Sequence, residues 1–81
     1  MTDEKAFELI KQALEKTQAG SSEKVTMETD LIADGIVDSL DSMNFLFELE
    51  TALGKSITSI DETFDDFKVT TLVDLVVKES A

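Results

Sequence analysis

The sequence lacks cysteine and histidine, and it contains no proline and only three glycines among its 81 residues. Without cysteine no disulfide can form, and without either residue type there is no Cys/His metal site. Two residue types that enzymes often use for nucleophilic and general-base chemistry are therefore missing, which argues against catalysis. Because glycine and proline shape most tight turns, their scarcity favours helices over a fold of many short strands.

Positive charge is also scarce. There are 7 Lys+Arg against 18 Asp+Glu, which gives a formal net charge of −11, and residues 25–54 contain no basic residue at all. Such a polyanion is repelled by nucleic-acid phosphates and by anionic membrane surfaces, so we expect neither as a partner. Basic protein surfaces are the expected partners, because complementary charge steers and orients association.

No targeting or membrane segment is predicted. The N-terminal residues are acidic and are followed by no long apolar run, so they do not have the pattern of a signal peptide. No apolar stretch approaches the length of a membrane span. With 42% hydrophobic residues, the chain has enough apolar surface for a modest core. We therefore predict a cytoplasmic monomer in which residues 1–81 form one domain.

Apolar spacing predicts a first helix over residues 3–19. Phe7, Ile10 and Leu14 fall at i, i+3 and i+7 and form one stripe, and Gly20 follows as a stop. A polar loop then continues to residue 35. It is long for so small a domain, and long ordered loops are typically functional. Four apolar residues are expected to anchor this loop to the core, namely Val25, Met27, Leu31 and Ile32.

A second helix is predicted over residues 39–53, with Asp38 or Ser39 as its N-cap and Gly54 as its end. It carries two apolar strips. The expected core strip consists of Phe45, Leu46, Leu49, Ala52 and Leu53. The second strip, which we call the outer strip, consists of Leu40, Met43 and Phe47. A helix with two such strips either buries both or presents one to a partner.

The remaining sequence predicts a short helix over residues 61–67 and a last helix that faces Leu72, Leu75 and Val76 inward. Thr71 with Asp74 three residues later has the form of a capping box for that helix. The fold class is therefore predicted as all-α. We expect a small up-and-down four-helix bundle with three main helices and one short helix.

One tripeptide makes a family resemblance specific. Asp38-Ser39-Leu40, at the head of a helix and after a long glycine-containing loop, resembles the Asp-Ser-Leu motif of acyl carrier proteins. The similarity continues through Asp41-Ser42-Met43 and through Thr70-Thr71-Leu72. It covers most of the chain, from about residue 7 to residue 77.

The resemblance implies that Ser39 carries 4'-phosphopantetheine, transferred from coenzyme A by a phosphopantetheinyl transferase of the holo-acyl-carrier-protein synthase type. That arm would supply the thiol that the chain lacks. A helix N-terminus is a favourable place for its phosphate. The chain would then carry acyl thioesters to acyl-transferring or condensing enzymes of fatty-acid, lipid or polyketide-type biosynthesis, and it would catalyse nothing itself.

The resemblance also implies a recognition surface for enzymes with basic docking surfaces. The residues expected to form it are Asp38, Leu40, Asp41, Met43, Phe47 and Glu48. Asn44 departs from the pattern, because fatty-acid carriers usually have a glutamate there. The Asp-Gly-Ile-Val run over residues 34–37 also resembles carriers of other cargo, including D-alanyl carriers. An aminoacyl or peptidyl carrier is therefore an open alternative.

Two hypotheses from other classes compete. With Asp30 as position 1 of an EF-hand loop, Asp34, Asp38 and Asp41 fall at positions 5, 9 and 12. Ile32 falls at position 3, where calcium needs an oxygen ligand, so we expect no resident metal. The second hypothesis is a plain interaction domain in which Ser39 is never modified.

Overall fold

The computed structural model describes residues 1–57 and 66–80. Within them the chain forms α1 (Asp3–Thr17), a 3-10 turn (Ser21–Lys24), α2 (Ser42–Leu53) and α3 (Val69–Ser80). These described residues contain no strand, and one isolated antiparallel bridge joins Asp30 to Lys68. The predicted all-α class is confirmed. The short helix predicted over residues 61–67 lies outside the described residues except at its last two positions, which are not helical, so the count of four helices stays a prediction.

Helix α1 begins after a side-chain cap and ends before a glycine. The Thr2 hydroxyl accepts the backbone N–H of Lys5 at 3.1 Å, which satisfies one of the amides left free at a helix start. The helix ends at Thr17, two residues earlier than predicted, because Gln18 is extended. Gly20 follows with a φ of 85°, a conformation that residues with a Cβ rarely adopt. The buried face comprises Ala6, Leu9, Ile10, Ala13 and Leu14.

The core lies where α1 packs against both α2 and α3. At its centre the rings of Phe45 and Phe67 are 6.4 Å apart with a tilt of 55°, a favourable arrangement for two aromatic side chains. The predicted core strip of α2 is correct for Phe45, Leu46 and Leu49, which are buried. It is wrong for Ala52, which is exposed, because its small side chain lines a surface cavity between α1 and the last turn of α2.

Two of the four residues expected to anchor the loop reach the core. Val25 and Leu31 are buried, whereas Met27 and Ile32 are each 36% exposed. Met27 lies in the turn of residues 27–28, and Leu31 and Ile32 are neighbours in the turn of residues 31–35. Of the four predicted anchors, Val25 and Leu31 therefore hold the loop to the core.

The loop before α2 is also fastened to the start of α3 by backbone hydrogen bonds. The Leu31 amide donates to the Phe67 carbonyl at 3.0 Å, and the Val69 amide donates to the Thr29 carbonyl at 2.9 Å. These two bonds flank the bridge between residues 30 and 68. The position of the loop therefore depends on a segment that is nearly forty residues away in sequence.

Helix α3 begins at Val69, two residues before the threonine of the predicted capping box. That prediction is wrong, because Thr71 lies inside the helix and its hydroxyl donates to the Asp66 carboxylate at 3.2 Å. Asp66 also accepts the backbone N–H of Lys68 at 3.3 Å. The acidic residue that organises the start of α3 is therefore Asp66, which precedes the helix. The residues that α3 buries are Val69, Leu72, Val73 and Val76, and Leu75 is half-buried.

None of the helices in residues 1–57 and 66–80 combines the length with the apolar character that a membrane crossing would require.

Candidate functional site at the start of α2

A hydrogen-bonded turn, not a helix, carries Ser39. Helix α2 begins at Ser42, three residues later than predicted, and residues 39–41 form a turn in front of it. Asp38 organises this turn, because its Oδ1 accepts the Asp41 amide at 2.7 Å and its carbonyl accepts the Ser42 amide at 3.0 Å. Asp41 makes no capping bond through its own side chain. The residue at the N-cap of α2 is Asp41, so the prediction of Asp38 or Ser39 as the cap is wrong, and Asp38 instead closes the turn in front of the helix.

The two serines of this region differ in accessibility. Ser39 is exposed on the turn. Ser42 is only 7% exposed, and its hydroxyl donates to the Ser39 carbonyl at 2.9 Å. Of this pair, only the Ser39 hydroxyl is therefore open to a modifying enzyme.

The outer strip of α2 is solvent-exposed. The exposed fractions are 86% for Leu40, 49% for Met43 and 66% for Phe47. Of the two arrangements expected for a helix with two apolar strips, the structure has the one in which a strip is left exposed. Contiguous exposed apolar residues on small proteins are often interaction sites.

Acidic residues border the outer strip. Asp38 is exposed, and Asp41 and Glu48 are half-buried at the surface. Since residues 25–54 contain no lysine or arginine, no basic side chain of α2 or of the loop before it offsets these carboxylates. The surface therefore combines an apolar strip with a negative border.

Two aspartates of the proposed calcium loop, Asp30 and Asp34, already accept backbone amides through their carboxylates. The Asp30 Oδ1 accepts the amides of Ile32 at 3.2 Å and Ala33 at 3.0 Å, and the Asp34 Oδ2 accepts the Asp30 amide at 3.1 Å. Within the part of the chain that the structure describes, no three acidic side chains form a group that could hold a metal ion. This geometry does not support the calcium hypothesis.

Sequence reasoning missed two glutamates that hold loops in place. The Glu15 Oε2 accepts the backbone N–H of Ser22 at 3.1 Å, the Ser22 hydroxyl at 2.9 Å and the Gly20 amide at 2.9 Å. The Glu50 Oε2 accepts the Ile57 amide at 2.7 Å, beside a side chain that is 2% exposed. Each carboxylate folds a loop back onto its own helix. One sequence pattern could have indicated both bonds. Each glutamate lies in the last turns of its helix, and a glycine follows shortly after the helix ends.

A comparison with known proteins places the chain in a family. It is 34% identical over 77 residues to the acyl carrier protein of Coprothermobacter proteolyticus, and the match covers 94% of this chain and 92% of that protein. The chain belongs to the acyl carrier protein family. No family model matches it, and no solved structure matches it.

Membership of the acyl carrier protein family has direct consequences. Acyl carrier proteins are carriers and not enzymes, as the sequence predicted for this chain. They interact with biosynthetic enzymes, and the family generally carries phosphopantetheine.

Proposed function

We propose that this chain carries acyl groups as thioesters on a 4'-phosphopantetheine arm attached to the Oγ of Ser39. The observation that carries the proposal is the contrast between the exposed Ser39 and the buried, hydrogen-bonded Ser42. A modifying enzyme needs a hydroxyl that it can approach, and Ser39 offers one within the motif that resembles those of the family. When attached, the arm supplies the thiol that a chain without cysteine lacks.

The turn presents the Ser39 hydroxyl to an attached group. Ser39 is exposed, and the bond from the Asp41 amide to Asp38 closes the turn of residues 39–41. The amides of Asp41 and Ser42 are both bonded to Asp38, so these two amides are not open to a phosphate. The expectation that the start of the helix favours the phosphate does not hold for them.

Modification at Ser39 is tested by intact mass. Incubation with coenzyme A, Mg²⁺ and a broad-specificity phosphopantetheinyl transferase is expected to add one phosphopantetheine mass to the wild-type chain. Ser39→Ala is expected to abolish the addition. Ser42→Ala is the matched control, because it removes a hydroxyl three residues away and is expected to be modified as the wild type is. Helical circular dichroism of both variants shows that each one folds.

Two results would contradict the proposal. One is a modified peptide that maps to Ser42. The other is a wild-type chain that gains no mass with any of several transferases of different origin, although it is folded.

We further propose that the outer strip and its acidic border form the docking surface for the transferase and for acyl-transferring or condensing enzymes with basic surfaces. The exposure of Leu40, Met43 and Phe47 supports this. Apolar anchors at the centre of an interface with charge at its rim are typical of specific docking. Rim charges such as Asp41 and Glu48 would act mainly on the association rate.

Charge reversal tests the acidic border. Asp41→Lys and Glu48→Lys are expected to slow modification by the transferase, and the effect is expected to shrink in high salt because screening weakens steering. Asp74→Lys is the control, because it makes the same change in net charge at an exposed position of α3. Equal slowing by Asp74→Lys would show that net charge is the cause and that the docking surface is misplaced.

The proposal for the pathway names only the class of intermediates that the chain carries. The carrier is expected to act as a cytoplasmic monomer with residues 1–81 as one domain, and to present acyl intermediates of fatty-acid, lipid or polyketide-type biosynthesis. Mass spectrometry of the chain purified from its own host reads the cargo directly. An aminoacyl or peptidyl mass on the arm would replace the acyl proposal with the aminoacyl one.

A further inference from the structure

Leu31 lies at a junction between the start of α3 and the segment that leads to Ser39. Its backbone N–H donates to the Phe67 carbonyl at 3.0 Å. Its own carbonyl accepts the amides of Ile36 and Val37, each at 2.9 Å. Its side chain is fully buried in the core. The donor, the acceptor and the side chain of this loop residue are therefore each held by another part of the fold.

The start of α3 is itself fastened where the loop attaches to it. Beside the Leu31 bond, the Val69 amide donates to the Thr29 carbonyl at 2.9 Å. The Asp66 carboxylate accepts the Lys68 amide at 3.3 Å and the Thr71 hydroxyl at 3.2 Å. The loop is thus joined to a segment whose backbone has a side-chain acceptor of its own.

On its other side, the junction reaches Ser39 within a few residues. Val37 is 2% exposed, and it is followed by Asp38, whose carboxylate accepts the Asp41 amide at 2.7 Å. Only one residue separates Val37 from Ser39, so their Cα atoms are at most about 7 Å apart. The path from α3 to the turn that carries Ser39 therefore consists of hydrogen bonds and one short stretch of chain.

No other side chain of this loop takes the place of Leu31. Among residues 26–36, all of which the structure describes, Leu31 is the one fully buried hydrophobic side chain. Residues 32–35 are exposed, and Ile36 is half-buried. Loss of the Leu31 side chain would therefore leave the loop without its apolar anchor just where its backbone bonds to α3.

We propose that Leu31 is a positioning residue for the modification of Ser39. By joining Phe67 to Val37, it orders the turn that presents Ser39 before the transferase arrives. The inference rests on the proposed function and deepens it. When the junction is broken, the transferase must order the turn while it docks, and that entropy cost weakens binding. The expected signature is a higher KM of the transferase for the carrier with kcat largely retained.

Two leucine truncations test the positioning role. Leu31→Ala breaks the anchor, and Leu14→Ala removes the same side chain from an equally buried position on α1. Both are expected to lose stability by a similar mechanism, so both are assayed at a temperature at which circular dichroism shows them folded. The KM is expected to rise about two- to tenfold in Leu31→Ala, which is comparable to the cost of ordering one further side chain on docking. It is expected to stay at the wild-type value in Leu14→Ala.

Amide hydrogen exchange gives a readout that a merely stabilising side chain would not move. In the wild type, the amides of Leu31, Ile36 and Val37 are expected to exchange with similar protection, because they open as one unit. In Leu31→Ala, Ile36 and Val37 are expected to lose more protection than the amides of α1. Leu14→Ala is not expected to single out these two amides.

A proline substitution tests the junction without truncating Leu31, and it gives a result even if Leu31→Ala does not fold. Val69 is the first residue of α3, a position at which proline is tolerated. Val69→Pro removes the amide that donates to Thr29. It is expected to raise the KM and to speed exchange at Leu31 and Ile36. Val69→Ala keeps the amide while it shortens the side chain, so it is expected to change both quantities less.

Three results would count against these assignments. Equal KM values in Leu31→Ala and Leu14→Ala would overturn the positioning role and leave the modification of Ser39 standing. Val69→Pro that matched Val69→Ala in KM and in exchange would overturn it as well. A wild-type chain that is folded but never modified at Ser39 would overturn the proposed function itself, and the positioning role with it.

Discussion

The Glu15 carboxylate accepts both the backbone amide and the hydroxyl of Ser22, at 3.1 and 2.9 Å from the same oxygen. Together with the Gly20 amide, these bonds close the turn that follows α1. They favour the charged form of the carboxyl group. The pKa of Glu15 is accordingly lowered, first by the Ser22 backbone bond and then by the Ser22 hydroxyl.

The lowered pKa of Glu15 predicts a pH-dependent contribution to stability. Because the pKa in the folded state is below the ordinary value of 4.5, the contribution is present above that value and is lost as the pH falls through the folded-state pKa. Glu15→Gln is therefore expected to lower the melting temperature at pH 7, and the difference from wild type is expected to shrink as the pH falls below 4.5 and through the lowered pKa. Thermal melts followed by circular dichroism measure both.

Glu23→Gln controls for net charge, because it removes one negative charge at an exposed position of the adjacent 3-10 turn. It is expected to leave the melting temperature at pH 7 unchanged or slightly raised. An equal loss in both variants would contradict the role given to the Glu15 bonds.

The bond from the Asp41 amide to Asp38 predicts a separation between stability and recognition. Asp38→Ala removes the acceptor of this bond and is expected to lower the free energy of unfolding by about 1 kcal/mol. Asp38→Asn keeps a comparable acceptor and is expected to cost much less, although it removes the charge that we propose a basic partner senses. Urea denaturation gives the stabilities and the transferase rate gives recognition. If Asp38→Asn lost as much stability as Asp38→Ala, the stabilising element would be the negative charge of Asp38 and not its hydrogen bond with the Asp41 amide.

Two phenylalanines two residues apart predict opposite outcomes. Phe45 is fully buried and packs against Phe67, whereas Phe47 is 66% exposed. Phe45→Ala is expected to cost about 3–5 kcal/mol, a large part of the stability of a domain of this size. Phe47→Ala is expected to change stability by less than about 0.5 kcal/mol and to weaken partner docking instead.

Urea denaturation and transferase kinetics of the two phenylalanine variants make the comparison. If Phe47→Ala were as destabilising as Phe45→Ala, the outer strip would belong to the core and the docking proposal would lose its basis.

Divalent cations are predicted to stabilise the protein weakly and with little preference. Repulsion among the negative charges of the chain destabilises the folded state, and bound cations relieve part of it. A specific calcium site is not expected, because Ile32 stands where an oxygen ligand is needed and Asp30 already accepts two backbone amides. We expect Ca²⁺ to bind on the order of 10⁻³ M, as in the weakest calcium modules. Calorimetric titration in a Mg²⁺ background tests this, and saturable micromolar binding would restore the EF-hand hypothesis.

The sequence predicted the elements that short-range patterns determine. The stripe of α1 follows from helical spacing, and the structure has it. Helical spacing left open whether the outer strip is buried or exposed, and the family resemblance implied that it is exposed. The starts of α2 and α3 were placed wrongly. For α3 a distant bond contributes, because the Val69 amide donates to the Thr29 carbonyl, forty positions earlier. For α2 the bonds are local, because Asp38 accepts the amides of Asp41 and Ser42 in a turn before the helix.

The candidate site was predictable in its residues but not in its geometry. The motif identified Ser39 as the residue to consider. The Asp38 side chain accepts the Asp41 amide and leaves Ser39 on a turn ahead of the helix, and this bond depends on a side-chain rotamer that periodicity does not encode.

The bonds between residues 29–31 and 67–69 also set an order of events during synthesis. The loop that leads to Ser39 is made early, but the backbone groups that fasten it belong to the last fifth of the chain. A nascent chain that ends before Phe67 has α1, the loop and α2, yet it lacks the segment that fixes the loop. Ser39 therefore reaches its final surroundings only after residues 67–69 have left the ribosome, so a transferase that recognises the folded surface acts only once that segment has been made.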